Sequence, residues 1–191
     1  SYKDDYGKAE TVTSALTAPV ANVNDGPTGT VGVSAGYYEQ GVMLTATNNL
    51  TDEDGMGAIT YTWYRGTIGI TGGTGTYTPS QADVGYQIKV IATYTDGQSN
   101  NTSVSSALTT SIINVDDPPF GGVTIDGTAQ PGKILTAVST LSDPDGMSAI
   151  SYKWYRNNVA IQDAVNSTYE VLMGDTGYDI TVRASYTDTY F

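Results

Sequence analysis

The chain of 191 residues contains neither cysteine nor histidine. Without cysteine it forms no disulfide, so a small secreted domain of this sequence must be held together by its core or by bound ions. Without histidine it has neither the commonest general base nor the commonest transition-metal ligand. A Ser-His-Asp or Cys-His catalytic site is therefore excluded, and an enzyme is not expected.

Basic residues are also scarce, since 8 Lys and Arg stand against 20 Asp and Glu, which gives a net charge of −12. This charge argues against binding to nucleic acid or to an anionic membrane, and it suits hard cations such as Ca²⁺. No apolar run approaches the roughly 18 residues that span a bilayer, so membrane insertion is not expected. Because the chain opens at Ser1 without a visible signal peptide, we expect a mature form or a fragment of a secreted or cell-surface protein.

What the chain does have is an internal repeat. Residues 52–65, Asp-Glu-Asp-Gly-Met-Gly-Ala-Ile-Thr-Tyr-Thr-Trp-Tyr-Arg, return with few changes at 143–156. Asp-Val-Gly-Tyr at 83–86 returns as Asp-Thr-Gly-Tyr at 175–178. The offset of 91 or 92 residues is the size of one small β-sandwich domain, and it is too long for a solenoid turn.

The repeat predicts the domain organisation. Residues 1–25 are expected to be the last strand and linker of a preceding repeat, 26–117 a complete sandwich, and 118–191 a sandwich lacking its last strand. Short runs of alternating apolar and polar residues lie between turn residues, and nothing sustains a helical period. The predicted fold class is all-β: tandem immunoglobulin-like antiparallel β-sandwiches, end to end, with no disulfide.

Each repeat has one tryptophan at the centre of an alternating run, and we predict that both lie in the core. The predicted core residues are Trp63 and Trp154, together with Tyr86 and Tyr178 of the Asp-x-Gly-Tyr segments. Leu44, Ala46, Ile88 and Val90 are expected to pack beside Trp63, and Leu135, Ala137, Ile180 and Val182 beside Trp154.

These motifs carry a resemblance to a known class of repeats. The motifs are Trp-Tyr-Arg followed by Asp-x-Gly-Tyr, together with Gly-Val-Thr-Ile, Leu-Thr-Ala, Asp-x-Asp-Gly, Tyr-Thr-Asp and Asn-Val-Asp-Asp-Pro. This pattern resembles the immunoglobulin-like and cadherin-like tandem repeats of large bacterial surface adhesins of the RTX or extender type. The two cysteines of immunoglobulin domains are absent. The resemblance implies secretion and an extender role between a cell anchor and distal binding domains.

Acidic residues concentrate in loops that should meet the linkers between sandwiches. Oxygen-rich clusters of this kind suit Ca²⁺, although the Asp-x-Asp-Gly segments lack the ligand spacing of an EF-hand. The alternative is that they are turns with solvated acids. The predicted Ca²⁺ ligands are Asn24, Asp25, Asp52, Asp54 and Asp96 at one joint, and Asp116, Asp117, Asp143, Asp145 and Asp188 at the next.

In the first copy, residues 102–115 are predicted to form the last strand of the repeat. The last copy stops at Phe191, before that strand, whereas residues 11–23 match it. We therefore expect this segment to close the last sandwich of a preceding molecule, which would build a filament by head-to-tail strand addition. The alternative is a window cut from a continuous array, in which neighbouring repeats supply the strand. The predicted contact residues of the donor strand are Val12, Ala15, Leu16, Val20 and Val23.

Two functions from different classes are compatible with these patterns. The first is an extracellular structural rod, either a filament subunit or an extender repeat of a bacterial adhesin, whose partners are copies of itself or neighbouring repeats. The alternative is a carbohydrate- or protein-binding β-sandwich module of a cell-surface protein, which requires an exposed aromatic patch with convergent polar groups.

Overall fold

The computed structural model describes residues 2–3, 5–70 and 74–189. Within these residues there are fifteen β-strands and two single-turn 3-10 helices, and every named strand pair is antiparallel. The predicted all-β fold of tandem immunoglobulin-like sandwiches is confirmed. No helix of the described residues has the length and apolar character needed to cross a membrane.

The first complete sandwich contains seven strands. They are β3 (Val31–Ser34), β4 (Leu44–Asn48), β5 (Thr60–Arg65), β6 (Ile68–Ile70), β7 (Thr76–Tyr77), β8 (Ile88–Thr95) and β9 (Asn101–Ser105). One sheet has the order β3-β4-β7 and the other β6-β5-β8-β9. Trp63 of β5 lies opposite Val90 of β8, so the two central strands present their apolar side chains to the same interior.

The second sandwich repeats this arrangement with six strands. They are β10 (Val123–Gly127), β11 (Ile134–Ser139), β12 (Ser151–Arg156), β13 (Val159–Ala160), β14 (Thr168–Glu170) and β15 (Ile180–Ser185). Its sheets have the orders β10-β11-β14 and β13-β12-β15. Trp154 lies opposite Val182, which is the register of Trp63 and Val90 displaced by one repeat. The described residues contain no counterpart of β9 beside β15.

A two-stranded hairpin precedes both sandwiches. It pairs β1 (Tyr2–Lys3) with β2 (Ala9–Glu10), with Tyr2 opposite Glu10 and Lys3 opposite Ala9. The end of the β8–β9 hairpin has the same register 92 residues later, with Tyr94 opposite Thr102 and Thr95 opposite Asn101. The hairpin thus has the backbone pairing expected of the end of another sandwich.

The two tryptophans are fully buried, at the predicted core positions. Trp63 Nε1 donates to the Thr74 carbonyl and Trp154 Nε1 to the Asn166 carbonyl, both at 2.9 Å, so neither indole leaves an unpaired N–H in the interior. The core partners predicted for Trp63 and Trp154 lie in the corresponding hydrophobic clusters.

The core prediction was wrong for the tyrosines of the Asp-x-Gly-Tyr segments. Tyr86 and Tyr178 are 55% and 52% exposed. Each follows a left-handed glycine in a tight turn, and its ring lies under a guanidinium, Arg65 at 5.7 Å and Arg156 at 5.8 Å from the ring centroid. Stacking on an arginine covers one ring face while the hydroxyl remains in water, so these residues do not enter the core.

Candidate functional site at the joints and the closing segment

The Asp-x-Asp-Gly segments form identical turns at the entrance of each sandwich. Asp52 Oδ1 accepts a hydrogen bond from Asp54 N, and Asp143 Oδ1 accepts one from Asp145 N, both at 3.0 Å. The following glycines, Gly55 and Gly146, have φ of 89° and 92°, a left-handed conformation that glycine adopts without steric cost. Each turn directs its second aspartate towards the backbone of the incoming linker.

The first aspartate of each turn is held by a tyrosine. Tyr94 Oη donates to Asp52 Oδ2 at 2.6 Å, and Tyr186 Oη donates to Asp143 Oδ2 at 2.5 Å. The hydrogen bond to Asp143 and burial raise the pKa of Tyr186 to about 12, so the hydroxyl keeps its proton at neutral pH. Both oxygens of Asp52 and of Asp143 therefore already accept protein hydrogen bonds.

The linker before the first sandwich meets the second aspartate of its turn. Asn22 Nδ2 donates to Asp54 Oδ1 at 2.5 Å, and the backbone N–H of Asp25 donates to Asp54 Oδ2 at 2.7 Å. Asn24 Oδ1 accepts from Asn100 Nδ2 at 2.5 Å. Segments that lie up to 76 residues apart in the sequence thus converge at this joint.

Asp96 lies in the β8–β9 turn of the same joint and is buried. Its Oδ1 accepts from the backbone N–H groups of Gln98 and Asn100, both at 2.8 Å, and its Oδ2 accepts from Asn100 Nδ2 at 3.0 Å. Burial alone would raise the pKa of Asp96, but these donors hold the pKa below its ordinary value. Asp96 therefore stays ionised and organises the turn.

The linker before the second sandwich meets the equivalent turn. The backbone N–H of Asp117 donates to Asp145 Oδ2 at 2.5 Å, and Gln40 Nε2 donates to Asp117 Oδ2 at 2.6 Å. One carboxylate oxygen from each of Asp116, Asp145 and Asp188 lies within 4.8 Å of the other two. Burial and the negative charges of Asp188 and Asp145 raise the pKa of Asp116, as expected for crowded carboxylates.

The structure thus divides the predicted metal ligands into three groups. Asn24, Asp25, Asp54 and Asp96 gather at the first joint in a network of amide and backbone donors. Asp116, Asp145 and Asp188 meet at the second joint. Asp52, Asp143 and Asp117 are bound instead by Tyr94, Tyr186 and Gln40.

A separate feature closes the first sandwich along the free edge of β8. Beyond β9 the chain does not continue as the strand that the sequence predicted over 102–115. The backbone N–H groups of Ser106 and Thr109 still donate to the carbonyls of Val90 and Ile88, both at 2.9 Å, but side-chain hydroxyls replace the backbone carbonyls as acceptors. Ser106 Oγ accepts from Val90 N and Thr109 Oγ1 accepts from Ile88 N, both at 3.0 Å. Ile112 then enters the core, and its carbonyl accepts from Gly85 N at 2.9 Å. Residues 103–115, which we call the closing segment, seal this side of the core.

The same side of the second sandwich is uncovered within the described residues. In the first sandwich the inward side chains of β8 are all buried, namely Ile88, Val90, Ala92 and Tyr94. Their counterparts Ile180, Val182, Ala184 and Tyr186 are only partly buried. A cavity of about 150 Å³ lies at the start of β15, lined by residues that include Val171, Thr176, Gly177, Tyr178 and Ile180.

The predicted donor strand has no regular secondary structure, and residues 11–23 are exposed throughout. Leu16 is 100% and Val20 96% exposed. The closing segment shows what each predicted contact residue corresponds to: Val12 to the partly buried Val104, Val20 to the buried Ile112, and Ala15, Leu16 and Val23 to the exposed Ala107, Leu108 and Val115.

Two further residues of the donor strand were missed by the sequence reasoning. Ser14 and Thr17 correspond to Ser106 and Thr109, whose hydroxyls accept hydrogen bonds from β8. The signal was present, because Ser14-Ala-Leu-Thr17 is identical to Ser106-Ala-Leu-Thr109. An apolar pattern does not reveal that hydroxyl groups make the contacts.

No protein-family model matches the chain, and no curated protein matches it. Among solved structures it is similar to the three N-terminal domains of the highly immunogenic outer capsid protein (Hoc) of bacteriophage RB49. The two share 19% sequence identity with a TM-score of 0.34, over 83% of this chain and 55% of that chain. The chain thus spans about half the length of that structure.

Proposed function

We propose that this chain is a structural extender module of a secreted or cell-surface bacterial adhesin, in which residues 11–23 form the closing segment of a neighbouring sandwich. Its all-β, immunoglobulin-like fold is compatible with a module of a surface protein. The neighbour is either a second copy of the chain or a preceding repeat of a longer polypeptide. Both arrangements give a head-to-tail rod, and the proposed role is not catalytic.

The observation that carries this proposal is the match between the exposed donor strand and the closing segment. Ser14, Thr17 and Val20 repeat, at a constant offset of 92, the residues with which Ser106, Thr109 and Ile112 seal the first sandwich. Docking of this exposed segment on a matching edge is favourable, because apolar surface of both the segment and the edge is removed from water.

The second sandwich offers the corresponding hydrogen-bond donors. Because Trp154 and Val182 pair in the register of Trp63 and Val90, the amides of Val182 and Ile180 point away from β12, as those of Val90 and Ile88 point away from β5. The cavity beside Gly177 corresponds to the position that Ile112 fills next to Gly85. Strand addition would therefore pair these amides and cover the partly buried side chains of β15.

Two differences from the closing segment are compatible with this docking. The first difference is that Pro19, which has no backbone N–H, stands at the position of Ser111. The backbone hydrogen bonds of that stretch are made by the next two residues, because the N–H groups of Ile112 and Ile113 donate to the carbonyls of Tyr86 and Tyr38. Asp179 replaces Gln87, whose Nε2 donates to the Thr109 carbonyl at 3.0 Å. An aspartate cannot supply that donor, so one hydrogen bond of the first sandwich is absent from the proposed contact.

The proposal is tested by measuring the association of the purified full chain over a range of concentrations, by sedimentation and electron microscopy. We expect head-to-tail oligomers or thin fibres whose length grows with concentration. Val20→Asp should leave a monomer, because it places a charge where Ile112 is buried in the first sandwich. Ala15→Asp is the matched control, since Ala107 at the same position is exposed, and it should associate like the unmodified chain.

The register has its own test, because the chain contains no cysteine. Val84 and Ile112 form a β-bridge in the first sandwich, and their counterparts are Thr176 and Val20. A Val20→Cys, Thr176→Cys double variant should form a ladder of intermolecular disulfides on oxidation. Monomers at all concentrations, or equal association of the Val20→Asp and Ala15→Asp variants, would contradict strand closure.

A further inference from the structure

The two joints differ in how the second aspartate of the turn is satisfied. At the first joint, Asp54 accepts from Asn22 Nδ2 at one oxygen and from Asp25 N at the other. At the second joint, Asp117 N donates to Asp145 Oδ2 in the same way. The counterpart of Asn22 is Asn114, and its side chain does not make the equivalent bond.

That difference leaves unpaired polar atoms in the interior of the second joint. Asp145 is only 2% exposed, and its Oδ1 is buried without a hydrogen-bond partner among the described residues. The Nδ2 and Oδ1 atoms of Asn114 are likewise buried and unpaired. A buried carboxylate oxygen without a donor is strongly unfavourable unless a positive charge is bound there.

The two joints differ in charge at one linker position. Asn24 of the first joint corresponds to Asp116 of the second. Asn24 accepts a hydrogen bond from Asn100, whereas Asp116 lies within 4.8 Å of the carboxylate oxygens of Asp145 and Asp188. Of the described parts of the chain, only the second joint brings three potential metal ligands of this kind together. Three negative groups at this spacing repel one another unless a cation lies between them.

We propose that the second joint binds a hard divalent cation, best matched by Ca²⁺, through Asp116, Asp145 and Asp188, whereas the first joint is held by Asn22 and Asn24 without one. Ca²⁺ takes six to eight oxygens in a flexible geometry, which suits carboxylates from a linker and two loops, while Mg²⁺ demands a stricter octahedral arrangement. The cation would fix the linker at Asp116 to the turn at Asp145 and the loop at Asp188. All three residues lie in one chain, so this site is independent of strand closure by residues 11–23.

The test is calorimetric titration of the full chain with CaCl₂, supported by Tb³⁺ luminescence, in the Val20→Asp background so that association does not contribute. We expect one ion per chain. Asp145→Asn should weaken the affinity by about tenfold or more, and Asp54→Asn, the matched change at the first joint, should leave it unaltered. Asp188→Asn provides a second variant of the site, and circular dichroism checks that each variant is folded.

Three results would overturn the proposal. The first is the absence of Ca²⁺ binding to the folded chain at millimolar concentration. The second is an affinity unchanged by both Asp145→Asn and Asp188→Asn, which would indicate diffuse attraction to a chain of charge −12. The third is an equal loss in Asp54→Asn and Asp145→Asn, which would make the two joints equivalent.

Discussion

Asp83 is a carboxylate with no exposed surface, and donors from three residues in different parts of the first sandwich compensate its charge. Arg65 Nε donates to Oδ1 at 2.7 Å, and Tyr77 Oη and Ser80 N donate to Oδ2 at 2.6 and 2.8 Å. Because Arg65 ends β5 and Tyr77 lies in β7, the carboxylate links the two sheets. Asp175 repeats the arrangement with Arg156, Tyr169 and Leu172 N in the second sandwich.

Removing this carboxylate should destabilise the first sandwich. We expect Asp83→Ala to lower the free energy of unfolding by about 3 kcal/mol, because it leaves a guanidinium, a hydroxyl and an amide without their acceptor. The value lies at the lower end of the range for buried pairs because the Arg65 side chain is 25% exposed. Denaturant unfolding followed by tryptophan fluorescence measures it. Glu53→Ala, at an exposed position, is the control, and equal stability of the two variants would contradict a structural role for Asp83.

The same network predicts how stability depends on pH. Burial opposes ionisation of Asp83, but its hydrogen bonds hold its pKa below 3.8, so this group stabilises the fold above that pH and the contribution is lost as the pH falls through the lowered pKa. Burial and the bond to Asp83 raise the pKa of Tyr77 from 10.0 to about 12. Its contribution is therefore present below pH 10 and is lost as the pH rises through about 12.

Melting temperature measured across this pH range should show a plateau with a decline at each end. Tyr77→Phe should be less stable at neutral pH, by about 1 kcal/mol for the lost hydrogen bond, and its alkaline decline should be shallower than that of the unmodified chain. An unchanged alkaline decline would show that Tyr77 does not couple folding to pH.

At the scale of strands, the sequence predicted most of the fold because the repeat and the alternating apolar pattern indicate the same strands. β5 and β12 alternate around a tryptophan, and their partners β8 and β15 alternate in step. Alternation places the apolar side chains of a strand on the core face of the sheet, so the presence of these strands could be predicted from it. The closing segment was predicted as one long strand and does not form one, because the hydroxyls of Ser106 and Thr109 take the place of backbone carbonyls as hydrogen-bond acceptors. The apolar periodicity of a sequence does not show where a side chain accepts a hydrogen bond in place of the backbone.

The joints show a similar limit. Their convergence followed from the order of loops on a sandwich, and the linkers do meet the Asp-x-Asp-Gly turns. Which acids come within reach of one another was not predictable, because Tyr94 and Tyr186 engage Asp52 and Asp143 through contacts 42 and 43 residues apart. The change from Asn24 to Asp116 was visible in the sequence. Its effect on cation binding depends on whether the asparagine two residues earlier, Asn22 or Asn114, donates to the aspartate of its own joint, and this could not be predicted.

At the scale of the whole molecule, the two sandwiches have the same plan but unequal cores. Among the residues that the structure describes, the hydrophobic cluster around Trp63 contains nine buried residues and the one around Trp154 contains five. The difference lies largely along β15, where Ile180 and Val182 are partly buried while Ile88 and Val90 are fully buried. Apolar burial is the main favourable term in folding, so the second sandwich should be the less stable of the two in the isolated chain.

This asymmetry leads to a prediction for thermal unfolding of the Val20→Asp variant, which cannot donate its strand. Calorimetry should show two transitions, with the second sandwich melting first. A synthetic peptide of residues 103–115 should raise only the lower transition, since a ligand of the folded state stabilises by mass action, by about 2.7 kcal/mol at a hundred times its Kd. The same peptide with Ile112→Asp should have no effect. If both peptides act alike, or if the peptide raises the upper transition, then the uncovered edge of β15 is not the acceptor of the closing segment.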